Sequence, residues 1–373
     1  MIVAVPRESG VKERRVALVP ETVSRLSKSN VEVRVQRGAG EAAAFPDELY
    51  AGAGATFADD APSLGTAADV LVSVGRPGDD VLAGLRAGSV VVGFLNPLGD
   101  PGYLQKLAAA KLTALAMEMI PRITRAQSMD ALSSQSNIAG YKAVLLAAAT
   151  LPKFFPMLTT AAGTIPPAKL LVLGAGVAGL QAIATARRLG AVVSAYDVRA
   201  AVKEQILSLG ASFLEFDLGA DAEAAGGYAK ELTPEQQERQ RAWMVEQIGA
   251  NDVVITTALV PGRKAPVLIS DTSVAAMRPG SVIVDIAAEA GGNCALTVPD
   301  QIVTTSNGVT IVGTTNLPST MPADASRLYS RNVYALLSPW IEGGRLTIDM
   351  NDEVAKGAVV TRDGAVLLGG SAS

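Results

Sequence analysis

The chain has 373 residues, a net charge of −4 and no histidine. The acidic balance argues against nucleic acid as a main partner, and the missing histidines leave no imidazole for acid–base catalysis or metal binding. The single cysteine, Cys294, excludes an internal disulfide framework and indicates a reducing, cytoplasmic compartment.

The first 130 residues alternate between apolar strands and helical stretches. The chain starts with a short strand followed by charges, unlike a signal peptide, and no apolar run reaches the roughly 18 residues that span a bilayer. This alternation predicts a parallel sheet with right-handed crossovers. Strands are predicted over residues 2–5, 31–35, 70–74, 90–95 and 112–119, with helices over 21–27 and 104–110.

The middle of the chain repeats this alternation around one glycine-rich turn. Strands are predicted over 170–173, around 212–216, and over 252–256, 281–286, 302–305 and 310–312. Helices near 136–150 and 325–337 are the predicted connectors, so the middle domain is inserted in the other. We therefore predict an α/β fold of two doubly wound parallel-sheet domains, the second a Rossmann dinucleotide-binding domain. The predicted boundaries are 1–132 plus 320–373 for the first domain and 133–319 for the second.

Residues 168–199 carry the clearest functional motif, a strand, a glycine turn, a helix and a second strand that ends in an acid. Gly174 permits the tight turn, Gly176 lets the main chain approach a pyrophosphate, and Gly179 lets helix and strand pack closely. The N–H groups that open the helix, at Val177 and Ala178, favour an anion.

Asp197 lies about 20 residues beyond the turn, where a carboxylate accepts hydrogen bonds from the adenosine ribose. The same carboxylate repels a 2′-phosphate, so the motif favours NAD(H) over NADP(H). Arg199 could soften that preference. Val198, between these two residues, belongs to the same predicted nucleotide site.

Two further stretches identify a family. Residues 121–137 (PRITRAQSMDALSSQSN) and 226–231 (GGYAKE), together with the glycine turn, closely resemble the NAD(H)-binding component, domain I of the alpha subunit, of proton-translocating nicotinamide nucleotide transhydrogenase. The resemblance covers essentially the whole chain. Its most specific portion is the RAQSMD segment, which alanine dehydrogenase, the nearest relative by fold, does not carry.

The resemblance implies a homodimer that docks on membrane-spanning subunits at the inner face of the cell membrane and faces a separate NADP(H)-binding component. It implies hydride transfer between the two nicotinamides, coupled to proton movement in other chains, and no metal. It assigns Arg122, Gln127, Asp130 and Ser133 to the nicotinamide side of bound NAD(H), and it places Tyr228 in a mobile loop over the nucleotide.

Several of these residues also have an ordinary structural interpretation. Arg122 and Asp130 could form an ion pair that braces the loop, Ser133 could cap the following helix, and Tyr228 could be an exposed aromatic. Ala258 and Leu259 follow a strand, so they either wall the nucleotide pocket or form a simple strand exit. Cys294 is expected to be inert packing.

The resemblance to alanine dehydrogenase separates two enzymatic hypotheses. That family's catalytic lysine and histidine would fall at Gly75 and Asn96, so both functional groups are missing. The neighbouring Arg76 cannot replace a lysine that exchanges protons, because a guanidinium stays protonated. An amino-acid dehydrogenase and a non-catalytic nucleotide-binding module remain as alternatives to the transhydrogenase component.

Overall fold

The structure, a computed structural model, describes residues 1–216, 233–259 and 262–368. It divides into two compact units, residues 1–136 with 318–373 and residues 137–317. The sequence-based boundaries at 132/133 and 319/320 lie close to these divisions, and the assignment of independent domains stays a prediction.

The first unit begins with alternating strands and helices. The strands are β1 (Ile2–Val5), β2 (Glu32–Gln36), β3 (Thr56–Ala58), β4 (Val70–Val72), β5 (Val90–Gly93) and β6 (Thr113–Ala116). The helices are α1 (Pro20–Ser27), α2 (Asp47–Gly52), α3 (Ala61–Ala67), α4 (Asp79–Gly84) and α5 (Pro101–Ala109). Helix α6 (Ala131–Thr150) begins in the first unit, and most of its residues belong to the second.

After α6, the second unit continues with a hairpin and a second sheet. Its strands are β7 (Leu158–Thr160), β8 (Gly163–Ile165), β9 (Lys169–Leu173), β10 (Val192–Tyr196), β11 (Ser212–Phe213), β12 (Val253–Thr256), β13 (Val282–Asp285), β14 (Ile302–Thr304) and β15 (Thr310–Val312). Its helices are α7 (Val177–Arg188), α8 (Lys203–Ser208), α9 (Pro234–Gly249) and α10 (Asp271–Ala275).

The chain then returns to the first unit, as the sequence predicts, through a long amphipathic helix. The remaining elements are α11 (Pro322–Leu337), β16 (Ile341–Glu342), β17 (Arg345–Leu346), α12 (Glu353–Ala358), β18 (Val359–Arg362) and β19 (Ala365–Val366).

Both large sheets are mainly parallel and carry one antiparallel edge. The first has the order β19-β18-β6-β5-β4-β1-β2-β3 and the second β11-β10-β9-β12-β13-β15-β14. The antiparallel pairs, β18 with β6 and β19 and β14 with β15, were not predicted. Parallel strands are buried on both faces, so β4, β12 and β13 consist only of buried residues.

The strand order of the second sheet reverses at one point, beside β9. The chain leaves β9 towards β10 on one side and later returns to β12 on the other side of β9. The strand order therefore reverses beside β9, and open α/β sheets bind ligands at the carboxyl ends of the strands at such a point. The glycine turn directly follows β9.

The described ranges contain no helix that combines the length and apolar character of a membrane span. The same ranges contain no cluster of three or more cysteine and carboxylate side chains able to hold a metal ion.

Candidate functional site: the glycine turn and its surroundings

The glycine turn after β9 has the close contacts that its three glycines predict. Gly174 has φ +99°, in the left-handed region that disfavours other residues. A Cβ on Gly179 would lie 1.9 Å from the Gly174 carbonyl oxygen, so only glycine lets the helix start this close to the strand. A Cβ on Gly176 would meet nothing within 4 Å, and the backbone there faces open space. This open, side-chain-free backbone suits the approach of a pyrophosphate.

Helix α7 begins at Val177 without a side-chain cap. The N–H groups of Val177, Ala178 and Gly179 have no partner one turn earlier in the helix, and the helix dipole adds positive potential at this end. Val177 is 39% exposed. Such a helix start can bind an anionic group, for example a diphosphate, through its main-chain N–H groups.

Asp197 follows β10 and ties the glycine turn to the neighbouring strand. Its carboxylate accepts a 2.7 Å hydrogen bond from the Ala175 N–H and bonds from the Arg199 backbone and guanidinium. Burial would raise the pKa of Asp197, but these hydrogen bonds outweigh burial and lower the pKa below its usual value. The side chain is therefore an anion that can accept hydrogen bonds from ribose hydroxyl groups.

Arg199 is the nearest competitor for that carboxylate. Its guanidinium contacts both carboxylate oxygens of Asp197, at 3.0 Å each, and its side chain is 59% exposed. A ribose diol must share Asp197 with this guanidinium or displace it into solvent. Val198, between the two, is 84% exposed and leaves its side of the turn open.

Ala258 and Leu259 lie at the carboxyl end of β12, next to the glycine turn. The Thr257 hydroxyl donates a 3.0 Å hydrogen bond to the Gly174 carbonyl, and the Thr257 N–H donates to the Leu173 carbonyl at 2.9 Å. Leu259 is 53% exposed and offers an apolar surface at this edge. The loop is thus fastened to the turn that precedes α7, and its role as a pocket wall stays a prediction.

The first unit holds the RAQSMD segment as a 3-10 helix, Thr124–Met129, which runs into α6. Ala126 and Met129 are buried and anchor the segment, while Arg122 and Gln127 are exposed. The amide of Asn332, on α11, donates to the Ser128 carbonyl at 2.8 Å. The exposed side chains therefore sit on a fixed backbone and can contact a ligand.

Asp130 and Ser133 are in direct contact. This contact differs from the two structural alternatives that the sequence suggested, an Arg122–Asp130 ion pair and a helix cap at Ser133. Asp130 precedes α6 and accepts bonds from the Ser133 N–H (2.9 Å) and hydroxyl (2.6 Å). Asp130 is therefore the N-cap and Ser133 the third helical residue, so the prediction of Ser133 as cap is wrong. Within the described ranges Arg122 forms no ion pair with Asp130, whose carboxylate bonds Ser133 instead.

Tyr228, with Gly226 and Gly227, lies outside the described residues, as do Val260 and Pro261. The placing of Tyr228 in a mobile loop over the nucleotide stays a prediction. Cys294 is buried, and burial raises the pKa of its thiol, which is consistent with an unreactive packing role.

Gly75 and Asn96 follow β4 and β5 at the carboxyl edge of the first sheet, and neither residue has a side chain that exchanges a proton. The Gly75 N–H donates to the Glu8 carboxylate at 3.1 Å, and Asn96 adopts φ +51° with its N–H bonded to Glu118. The buried Arg15 pairs with Glu13 and donates to Gln135 at 2.8 Å.

Two buried residues at the carboxyl edge of the second sheet received no individual role from the sequence, although residues 287–293 were noted as a loop like the one after β12: they are Asp285 and Asn293, which are 1% and 0% exposed. Both contact the loop after β12 or its neighbours. The signal that could have found them was a strand that ends in a carboxylate and an Asn directly after Gly-Gly, both in apolar surroundings where polar groups need partners.

Comparison with known proteins agrees with this geometry. The family model described as alanine dehydrogenase/PNT, N-terminal domain, matches residues 4–139, and the corresponding C-terminal domain model matches residues 143–368. The chain is 49% identical to the first portion of the divided alpha subunit of NAD(P) transhydrogenase from Rhodospirillum rubrum, over 98% of both chains. A solved transhydrogenase from Sinorhizobium meliloti is 43% identical, with a TM-score of 0.86 over 98% of this chain and 99% of that one. A solved L-alanine dehydrogenase, 24% identical over 98% of this chain and 97% of that one, shares the fold with a TM-score of 0.80.

Proposed function

Because the chain belongs to the alanine dehydrogenase/PNT family, we propose that it is the NAD(H)-binding catalytic component of a proton-translocating transhydrogenase. In this role it exchanges hydride with NADP(H) bound on a partner component. The proposal rests on the glycine turn with its acid, together with the resemblance to alanine dehydrogenase, which would put that family's catalytic lysine and histidine at Gly75 and Asn96 of this chain.

The chemistry of the reaction explains why those two side chains are dispensable. Oxidation of an amino acid changes the charge on a heteroatom and needs a positioned acid or base. Hydride exchange between a dihydropyridine and a pyridinium ring leaves no oxyanion to protonate. It needs approach, orientation and exclusion of water. A chain without histidine supports the second reaction better than the first.

NAD(H) is the cofactor that the residues of the second unit fit. The uncapped start of α7 and the open backbone at Gly176 accommodate the pyrophosphate, and the carboxylate of Asp197 accommodates the adenosine ribose. When bound, NAD(H) supplies the carbon that donates or accepts hydride. The residues of the chain hold the two ends of the dinucleotide and orient its nicotinamide.

Arg122, Gln127, Asp130 and Ser133 are, in this proposal, the residues that contact the nicotinamide, as the family resemblance implies. Arg122 and Gln127 are exposed donors on an anchored segment, whereas Asp130 and Ser133 also stabilise the start of α6. Their two roles are compatible, since a capping carboxylate retains lone pairs for a ligand.

Proton translocation and the NADP(H) site belong, in this proposal, to membrane-spanning and NADP(H)-binding partner subunits. The name of the Rhodospirillum rubrum relative describes one portion of a subunit, which supports a role within a larger assembly. The chain would then be cytoplasmic and peripheral to the inner face of the cell membrane.

Substitution of Gln127 tests the proposal. Mixed with an NADP(H)-binding transhydrogenase component, NADPH and an NAD+ analogue, the wild-type chain is expected to reduce the analogue. Gln127→Asn shortens the exposed amide by one methylene, so the transfer rate should fall at least about tenfold, because small misplacements are costly in such reactions. NADH affinity and melting temperature should stay near wild type.

The matched control is Gln205→Asn, an exposed glutamine on α8, which should leave transfer unchanged. Formation of NADH from NAD+ and L-alanine by the chain alone would contradict the proposal in favour of an amino-acid dehydrogenase. Tight NADH binding without transfer, with several partner components, would favour a non-catalytic binding module.

A homodimer belongs to the proposal and has its own structural support. Five of the six residues in strands β7 and β8 are exposed, and a two-stranded hairpin is marginally stable alone in water. Phe154, Met157 and Ile165, on and next to it, are 51%, 64% and 41% exposed. An apolar surface of this kind is typical of an association site.

Met157→Glu is therefore expected to convert a dimer into a monomer in sedimentation equilibrium, because it buries an unpaired charge in the contact. Ile302→Glu, a comparable substitution of a 63% exposed residue on β14, should stay dimeric. A monomeric wild-type chain at high micromolar concentration would contradict the proposed homodimer.

A further inference from the structure

Asp285 is a buried junction at the end of β13. Its carboxylate accepts hydrogen bonds from the hydroxyl groups of Thr256 (2.9 Å) and Thr297 (2.7 Å) and from the N–H groups of Ala287 (3.0 Å), Asn293 (2.8 Å) and Cys294 (3.0 Å). A Cβ on Gly292 would lie 2.9 Å from the same carboxylate. The loop after β13 is therefore folded around one carboxyl group, which fixes the position of Asn293.

The side chain of Asn293 uses both of its donor hydrogens and its oxygen. Its Nδ2 donates to the carbonyls of Ala258 (2.9 Å) and Pro266 (2.8 Å), and its Oδ1 accepts the Ala258 N–H at 3.0 Å. The amide thus pairs with both polar groups of Ala258 as a neighbouring strand would. Asn293 is fully buried, so it cannot touch a nucleotide itself.

The strand order indicates which portion of a dinucleotide meets Ala258. Asp197 ends β10 on one side of β9, and the glycine turn follows β9 itself. With the adenosine ribose at Asp197 and the pyrophosphate at the turn, the remaining half of the dinucleotide extends over β12 on the other side. Residues 258 and 259 are the continuation of β12 at that edge.

We infer that Asn293, held in place by Asp285, is a positioning residue that fixes the Ala258 backbone as the wall for the nicotinamide half of bound NAD(H). The inference rests on the proposed function and deepens it. It assigns a role to two buried residues that act through the backbone of a third. If the Ala258 backbone were mobile, the adenosine half of NAD(H) would still bind, and only the contacts of the nicotinamide half would weaken.

The test compares two ligands on three proteins. NADH spans both halves of the site, whereas AMP occupies only the adenosine side near Asp197. Asn293→Asp keeps the oxygen that accepts the Ala258 N–H and removes both donated bonds. Its affinity for NADH should fall about tenfold, since lost hydrogen bonds of this kind correspond to one or more powers of ten. Its affinity for AMP should change less than about twofold.

Asn307→Asp is the matched control. Asn307 likewise donates to two carbonyls, those of Val274 (3.0 Å) and Met277 (3.4 Å), but from the turn that precedes β15, at the opposite edge of the sheet. This variant should lower the melting temperature and leave both affinities unchanged. Equal losses of NADH and AMP binding in Asn293→Asp, or no loss of either, would overturn the inference.

Two measurements keep the inference testable if Asn293→Asp folds poorly. Asn293→Ala removes the same bonds without adding charge and should show the same split between NADH and AMP. In the wild-type chain without nucleotide, the Ala258 amide should exchange its hydrogen slowly, because its acceptor is buried. Fast exchange of this hydrogen would overturn the inference. A wild-type chain that binds neither AMP nor NADH would overturn the proposed function as well.

Discussion

Gly176→Ala should leave the free energy of unfolding unchanged and weaken NADH binding on the order of a hundredfold. The added methyl group meets no atom within 4 Å in the nucleotide-free protein, and the backbone angle there, φ −75°, is open to any residue. The methyl group nevertheless occupies the space through which a pyrophosphate approaches the main chain. NADH binding is therefore weakened although the substitution does not disturb the unliganded protein.

Gly179→Ala provides the contrasting variant. Its methyl group would lie 1.9 Å from the Gly174 carbonyl oxygen, and a backbone atom cannot rotate away. Strain of this kind costs about 1–3 kcal/mol, so chemical denaturation should show a clear loss of stability. If Gly176→Ala bound NADH as tightly as wild type, the assignment of the pyrophosphate to this turn would be wrong.

The stability of the protein should fall as pH rises from about 4.5 to about 7, because burial raises the pKa of Glu8 to about 7 from 4.5. In this interval the native state binds more protons than the unfolded state, so each step upward in pH favours unfolding. The full effect on the free energy of unfolding is up to about 3 kcal/mol above pH 7. Burial also raises the pKa of Glu118, which acts in the same direction.

The chain has no histidine, so no imidazole titrates in the interval in which the stability is predicted to fall. Denaturation at pH 5, 6, 7 and 8 should show the decline in the wild type and a flatter profile in Glu8→Gln. Glu48→Gln, at an exposed carboxylate on α2, should follow the wild type. A stability that rises between pH 5 and 7 would show that Glu8 is not held in its protonated form.

The glycine turn and its acid could be predicted from the sequence because their chemistry is local. The tight turn at Gly174, the close approach at Gly179 and the acid at Asp197 each depend on a few neighbouring residues. The parallel strands were predictable for a similar reason, since burial on both faces produces continuous apolar runs.

The remainder depends on contacts between distant segments of the chain. Asn293 pairs with a residue 35 positions earlier, and no local pattern predicts which backbone group it meets. Strand β18 joins β6 as an antiparallel edge only because the chain returns to the first unit after the second one is complete. The capping alternative was assigned to Ser133 instead of Asp130, because both side chains are good helix caps and only the observed helix start at Ala131 separates them.

The central claim is direct hydride exchange between nicotinamides, and transfer of a deuterium label tests it most directly. NADPH carrying deuterium at the transferred position would be mixed with NAD+, an NADP(H)-binding transhydrogenase component and this chain in ordinary water. The account predicts that the label appears undiluted in the NADH formed, and only when both proteins are present. Loss of the label to water, or NADH formation without this chain, would contradict it.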